Sequence, residues 1–176
     1  MNRRPWQRVV ERQARPVDVT WITEKVAVGG GIWNAANMAE IARTGVTHII
    51  DMQKEFDDGP LAVMHGIRVL WNAVDDDFQP KPAEIFEHGV GFALDAFQEP
   101  ESKVLIHCAA GVHRAPMMTL ALLSVLGWKT DEAAALIALH RPVVEFPQVY
   151  LDSVEGFLKQ HQRSQGHSGV TSGSTS

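Results

Sequence analysis

The chain has a single cysteine, Cys108. Arg114 follows six residues later, with Gly111 midway between them. In the segment 104–116, VLIHCAAGVHRAP, an apolar run reads as a buried strand ending at His107, and a helix starts as the turn from Cys108 to Arg114 closes. Such a turn can aim successive backbone N–H groups inward, and the helix N-terminus adds positive potential, so the spacing suits a tetrahedral dianion. Gly111 supplies backbone freedom mid-turn. Ala109 and Ala110 are small enough to leave the amides accessible, and Val112 and His113 complete the loop. Amides that bind phosphate also stabilise a thiolate, which makes Cys108 a candidate nucleophile. The planar fork of Arg114 can bind two phosphate oxygens. A cysteine after an apolar strand is, taken alone, usually a small core residue. The arginine, the central glycine and the strand-to-helix position together point instead to phosphoryl transfer. No Gly-Lys-Ser/Thr follows, so the loop is not a nucleotide-binding P-loop.

The elements that must position this loop are legible on either side of it. Residues 19–28 read as two short extended pieces around a Thr-Glu-Lys turn. Residues 33–44 have helical spacing in Trp33, Ala36, Met38, Ile41 and Ala42, with Gly45 as the stop. Strands are predicted at 46–51, 67–73 and 103–107, and a helical turn at 60–65. A long amphipathic helix is predicted over 83–98, its inward face being Ile85, Phe86, Val90, Phe92, Ala93, Leu94 and Phe97. Further helices are expected at about 114–126, 131–140 and 147–161. Apolar strands alternating with helices indicate an α/β sheet covered by helices.

With 176 residues and 45% hydrophobic content, one domain is the expectation, over residues 18–162. A basic arm, 1–17, carries Arg3, Arg4, Arg8, Arg12 and Arg15, and a Ser/Gly/Thr-rich tail, 163–176, is expected to be disordered. The net charge of −5 argues against a nucleic-acid partner. No apolar run is long enough for membrane insertion, and one cysteine forms no internal disulfide, so a cytoplasmic location is expected. Oligomeric state is not encoded legibly.

HCAAGVHR resembles the HCxxGxxR signature of the protein tyrosine phosphatases, most closely their dual-specificity branch. The likeness extends to ITEKVAVGG and GVTHIIDM and covers roughly residues 18–160. It implies a central four- to five-stranded, mostly parallel sheet with helices on both faces, and no metal or cofactor. It also implies a phosphorylated protein or other phosphate monoester as substrate, with Cys108 attacking phosphorus, Arg114 binding the phosphate and His107 supporting the thiolate. One departure stands out: the family usually has Ser or Thr after the arginine, and here Ala115 and Pro116 follow. HCAAGVHRAP is in this respect similar to the phosphatases of regenerating liver, which implies an intermediate that forms readily and hydrolyses slowly. A phosphate- or partner-binding module with vestigial catalysis is the alternative that Ala115 raises.

Ester cleavage also needs a proton for the leaving oxygen. The loop after the second of these strands offers Asp75, Asp76 and Asp77. By the resemblance the acid falls on Asp76, with Asp75 and Asp77 as alternatives. His113 lies beside Arg114 as either a rim residue or a solvated one, and the remaining histidines show no metal-ligand spacing.

Overall fold

The computed structural model describes residues 16–168. The arginines of the basic arm, Arg3 to Arg15, lie outside that range. Strands β1 (Val19–Trp21) and β2 (Val26–Gly29) form an antiparallel hairpin, closed where the Thr23 hydroxyl accepts the Val26 N–H. Helix α1 (Ala35–Arg43) starts where the Asn34 side chain accepts the Asn37 N–H at 2.9 Å. It ends before Gly45, at φ +86°. Then come β3 (His48–Asp51), the single turn α2 (Gly59–Ala62), which tightens into a 3-10 turn at Val63–His65, and β4 (Arg68–Trp71). The chain continues through α3 (Ala83–Ala96), β5 (Val104–His107), α4 (Arg114–Val125), α5 (Thr130–His140) and α6 (Gln148–Ser168).

The five strands pair in the order β1-β2-β5-β3-β4, all parallel except β1 at the edge. This is the mostly parallel sheet expected. Because side chains alternate across a strand, each strand feeds two cores. Val26, Val28, Ile50, Val104 and Ile106 pack under α3–α6. Ala27, Ile49 and Leu105 pack against Met38 and Ile41 of α1 and Ala62 of α2. Helix α4 is buried at every position from Arg114 to Leu123, which makes it the centre of the thicker layer. Helix α3 comes close to it through Gly89, where a Cβ would sit 2.6 Å from the Met118 sulfur. Four parallel strands send their following loops to one edge of the sheet, and there the loops after β2, β3, β4 and β5 converge.

Three expectations change. Trp33 precedes the helix rather than packing inside it, and lies half-exposed with its ring 6.3 Å from that of Phe56. On α3 the fully buried stripe includes Gly89 and Ala96, while Ile85, Phe92, Leu94 and Phe97 are only partly buried. Small residues let the helix sit close, which puts the large ones at its flanks. Finally, α6, anchored by buried Tyr150, Val154 and Phe157, continues to Ser168, past residue 163 where the tail was expected to begin, and residues 169–176 of that tail lie outside the described range. No helix among the described residues is long and apolar enough to cross a membrane.

Candidate active site

Cys108 follows β5 directly and is almost fully buried. The carbonyls of the loop after it all turn outward. Ala109 accepts the Gly31 N–H at 3.1 Å, and Val112 accepts the Glu145 N–H at 3.0 Å. Gly111 accepts Arg141 Nε at 2.8 Å, and Ala110 accepts Arg141 Nη2 at 3.2 Å. In a trans peptide the next N–H points opposite to the carbonyl, so four outward carbonyls direct the amides of residues 110–113 inward. One of them, Gly111 N–H, donates to Cys108 Sγ at 3.3 Å. Gly111 holds φ +65°, and a Cβ there would lie 2.5 Å from the Gly29 carbonyl oxygen. Only glycine fits.

Arg141 is the buried staple of this loop. Besides the two carbonyls it binds the Asp18 carboxylate through Nη1 at 2.7 Å and Nη2 at 2.6 Å, and the Thr20 hydroxyl at 3.1 Å. The hairpin edge of the sheet is thereby tied to the anion cradle.

Arg114 opens α4 and is 3% exposed. Glu55, on the loop after β3, takes the end of its fork: Nη1 and Nη2 each donate to one carboxylate oxygen at 2.9 Å. Nη1 also donates to the Val74 carbonyl at 3.0 Å. The Arg114 hydrogen bond is the main reason Glu55 is held below the usual carboxylate range. With one edge of the guanidinium fixed, Nε remains buried with no hydrogen-bond partner among the described residues. The Nε–Nη2 edge is therefore the one available for an oxyanion.

The three aspartates separate cleanly. Asp75 pairs with exposed Lys54 at 2.7 Å, and Asp77 pairs with the buried ammonium of Lys81, which holds it below the carboxylate range. Asp76 turns toward the cradle. Its Oδ1 accepts the Tyr150 hydroxyl at 2.9 Å, and its Oδ2 lies 3.0 Å from His113 Nδ1 and 4.0 Å from Arg114 Nε. Phe78 fixes the loop, at the left-handed φ of +57° that a bulky residue rarely adopts. It stacks on Tyr150, with centroids 6.0 Å apart, and meets His113 edge-on at 5.1 Å. Its N–H donates to the Tyr150 oxygen at 3.2 Å. His113 bridges Asp76 and, through Nε2 at 3.2 Å, Glu145. Burial pushes the His113 imidazole down, but the hydrogen bonds it donates to the carboxylates of Asp76 and Glu145 outweigh it and leave the pKa raised. Burial is also the largest reason Tyr150 is pushed up to about 12, so it stays a donor to Asp76.

His107 is fully buried behind the nucleophile, with Nε2 2.6 Å from Asp58 Oδ2 and 3.6 Å from Asp51 Oδ1. Burial, partly offset by His107, raises the Asp51 carboxyl to about 6. Ala115 is buried and its methyl offers no hydroxyl to the cradle; the nearby Thr119 hydroxyl is spent on the Ala115 carbonyl at 2.8 Å.

Cys108, Arg114, Asp76 and His113 thus come together, with Ala109 to Val112 as the cradle wall and His107 behind it. Glu55, Arg141, Tyr150, Phe78, Glu145 and the Asp51–Asp58 pair are absent from the sequence reading. Each acts by contact across the fold, and only the sequence QKEFDD, polar in a segment between apolar strands, hinted at the Glu55 loop.

A family model described as the catalytic domain of dual specificity phosphatases matches residues 31–163. The chain is 33% identical over 140 residues to protein phosphatase Slingshot homolog 3 of Rattus norvegicus, covering 78% of this chain and 20% of that protein. It is 28% identical over 129 residues to dual specificity protein phosphatase 26 of Homo sapiens, covering 72% and 57%. The chain thus spans a fifth or less of the length of the Slingshot relatives it matches. In structure it is similar to PTPMT1, with TM-score 0.73, 22% identity and coverage of 85% of this chain and 99% of that one. Human DUSP28 superposes with TM-score 0.67 at 20% identity, covering 85% and 99%. These two likenesses support the fold. The loop, its arginine and the match over most of the chain place this protein in the dual-specificity phosphatase catalytic-domain family, a branch of the protein tyrosine phosphatases.

Proposed function

We propose that this domain hydrolyses phosphate monoesters, those of phosphotyrosine or phosphoserine/threonine proteins, through a cysteinyl-phosphate on Cys108. The single observation that carries the reading is the cradle. Four outward carbonyls, a Gly111 N–H on the sulfur and an Arg114 Nε with no hydrogen-bond partner among the described residues make one pocket of positive potential at a buried thiol.

In the first step Cys108 Sγ bonds to phosphorus as the phosphorus–oxygen bond to the leaving group breaks. Asp76 delivers the proton to that oxygen, supported by its position beside Arg114 and by the outward pairing of Asp75 and Asp77. In the second step water attacks phosphorus, its proton passes to Asp76, and the thiolate leaves. The inward amides and the Nε–Nη2 edge of Arg114 hold the equatorial oxygens throughout. His107 orders the strand end behind the sulfur. Because Ala115 presents no hydroxyl to the departing sulfur, the second step is slow and the intermediate accumulates. A binding module with vestigial catalysis is the second reading, and the same Ala115 favours it. The lone cysteine, with no internal disulfide to form, supports a cytoplasmic setting.

The test is steady-state hydrolysis of an aryl phosphate by wild type and Cys108→Ser with a metal chelator present. Turnover that survives the chelator and disappears in the variant supports the mechanism. Equal rates for both proteins would overturn it.

A further inference from the structure

The geometry points to a cavity beside the anion cradle as a subsite for a basic side chain, an arginine or lysine that neighbours the phosphorylated residue of a protein substrate. The inference deepens the phosphatase reading and rests on it.

The cavity measures about 400 Å3 and is bounded by Asp18, Gly30, Gly31, Trp33, Asn37 and Ala109. Ala109 ties it to the chemistry. It follows the nucleophile in sequence, belongs to the cradle wall, and its carbonyl accepts the Gly31 N–H at 3.1 Å. The loop after β2 is thereby held against the cradle. Two side chains fill the space that its glycines leave. A Cβ on Gly30 would lie 2.6 Å from Asp18 Oδ2, and one on Gly31 would run into the Trp33 indole. Phe56 braces that indole, with centroids 6.3 Å apart and planes tilted by 51°, yet half of Trp33 stays exposed. An open tryptophan face beside a carboxylate suits a cation.

Asn37 is the residue that asks for a ligand. It lies in the first turn of α1 and is only 8% exposed. Its backbone N–H is taken by the Asn34 cap, whereas its carboxamide makes no hydrogen bond with any described residue. Buried carboxamides are normally paired, and the cavity that Asn37 lines is where a partner can enter. Asp18 gives both carboxylate oxygens to Arg141, at 2.7 and 2.6 Å. Each oxygen can accept a further donor, and the side chain is half-exposed. The lining holds this carboxylate and no lysine or arginine.

An incoming ammonium or guanidinium can therefore lie on the indole face, donate to Asn37 Oδ1 and reach the outer lone pairs of Asp18. Val17, also on the wall, gives its methylene stem an apolar contact. A glutamate or a second phosphate would meet the Asp18 carboxylate with no lining cation to offset it, and an apolar side chain would leave Asn37 unpaired. Arg141 already offsets much of the Asp18 charge, which limits the expected preference to about tenfold.

The experiment measures kcat/KM on short phosphopeptides, one set built on phosphotyrosine and one on phosphothreonine. Arginine, alanine or glutamate is placed in turn at each of the two positions on either side. An aryl phosphate, which has no neighbouring residue to insert, normalises each protein. In wild type one position should favour arginine over glutamate by about tenfold, with alanine between them. Asn37→Asp keeps the side-chain shape and puts an acid in the first turn of a helix, where it is tolerated; it should widen the ratio by about tenfold more. Trp33→Ala and Asn37→Leu should each narrow it to about threefold or less. If either of these does not fold, Asn37→Asp decides. A wild-type ratio under about threefold at every position, a ratio that Asn37→Asp leaves unmoved, or a preference for glutamate would each overturn the subsite. The last result would mark the cavity as a site for acidic or multiply phosphorylated partners. Wild type that hydrolyses neither peptides nor the aryl phosphate would defeat the phosphatase reading itself, whereas even hydrolysis across the peptides defeats the subsite alone.

Discussion

Replacing Arg141 by methionine keeps the stem and removes every donor. The change deprives the Gly111 and Ala110 carbonyls of their partners, at 2.8 and 3.2 Å, and the Asp18 carboxylate of a bidentate one. A buried carbonyl left unpaired costs about 1–3 kcal/mol. The Asp18 side chain is half-exposed, so losing its pair adds only about 1 kcal/mol after solvent screening. The sum is about 3–7 kcal/mol, which for a domain of this size lowers Tm by roughly 15 °C. The functional effect goes further. Unstapled, the Ala110 and Gly111 peptides can turn, and each turned peptide replaces an inward N–H with a carbonyl that repels phosphate. Arg141→Met is therefore expected to raise KM for an aryl phosphate and the Ki of inorganic phosphate by at least about tenfold at a temperature well below the new Tm. Asp18→Asn is the control; it loses only the outer pair, and its KM should stay within about twofold. Melting within about 2 °C of wild type together with unchanged KM in Arg141→Met would refute the claim that outward carbonyls build this cradle.

Other consequences are more local. Asp76→Asn should lower kcat by about a hundredfold for esters with poor leaving groups and far less for activated aryl phosphates, as a leaving-group series would show. The raised pKa of His113 gives a signed pH effect on stability. Its pairing with Asp76 and Glu145 is fully present below the unfolded value near 6.5 and is lost as pH rises through the higher folded value. Thermal melts across that window should show a loss in wild type that His113→Gln lacks. Ala115→Ser restores a hydroxyl at the start of α4 and should raise steady-state kcat without changing the rate of the first turnover, read by rapid mixing.

Much of this arrangement is written locally. The order of strands and helices follows from apolar periodicity, and the anion loop from the spacing of Cys108, Gly111 and Arg114, because each depends on residues close in sequence. Asp76 could be narrowed only to a run of three by its own residues, since what singles it out is Tyr150 and His113 on other elements while Lys54 and Lys81 draw its neighbours away. Glu55 and Arg141 left even less trace. A glutamate in a polar loop and an arginine after a helix are ordinary surface residues until the fold brings them to the guanidinium and the carbonyls. Phe78 was hidden for a different reason: its left-handed backbone is held by aromatic contacts with distant rings, against its local preference.

Rapid-quench intact-mass measurement with an aryl phosphate would catch a covalent phosphoenzyme on Cys108 as it forms. A burst of phenol is expected, matched by a protein species heavier by one phosphoryl group, mapped to Cys108 and outlasting the burst because Ala115 slows its hydrolysis. Turnover with no burst, or a phosphoryl group carried on any other residue, would contradict it.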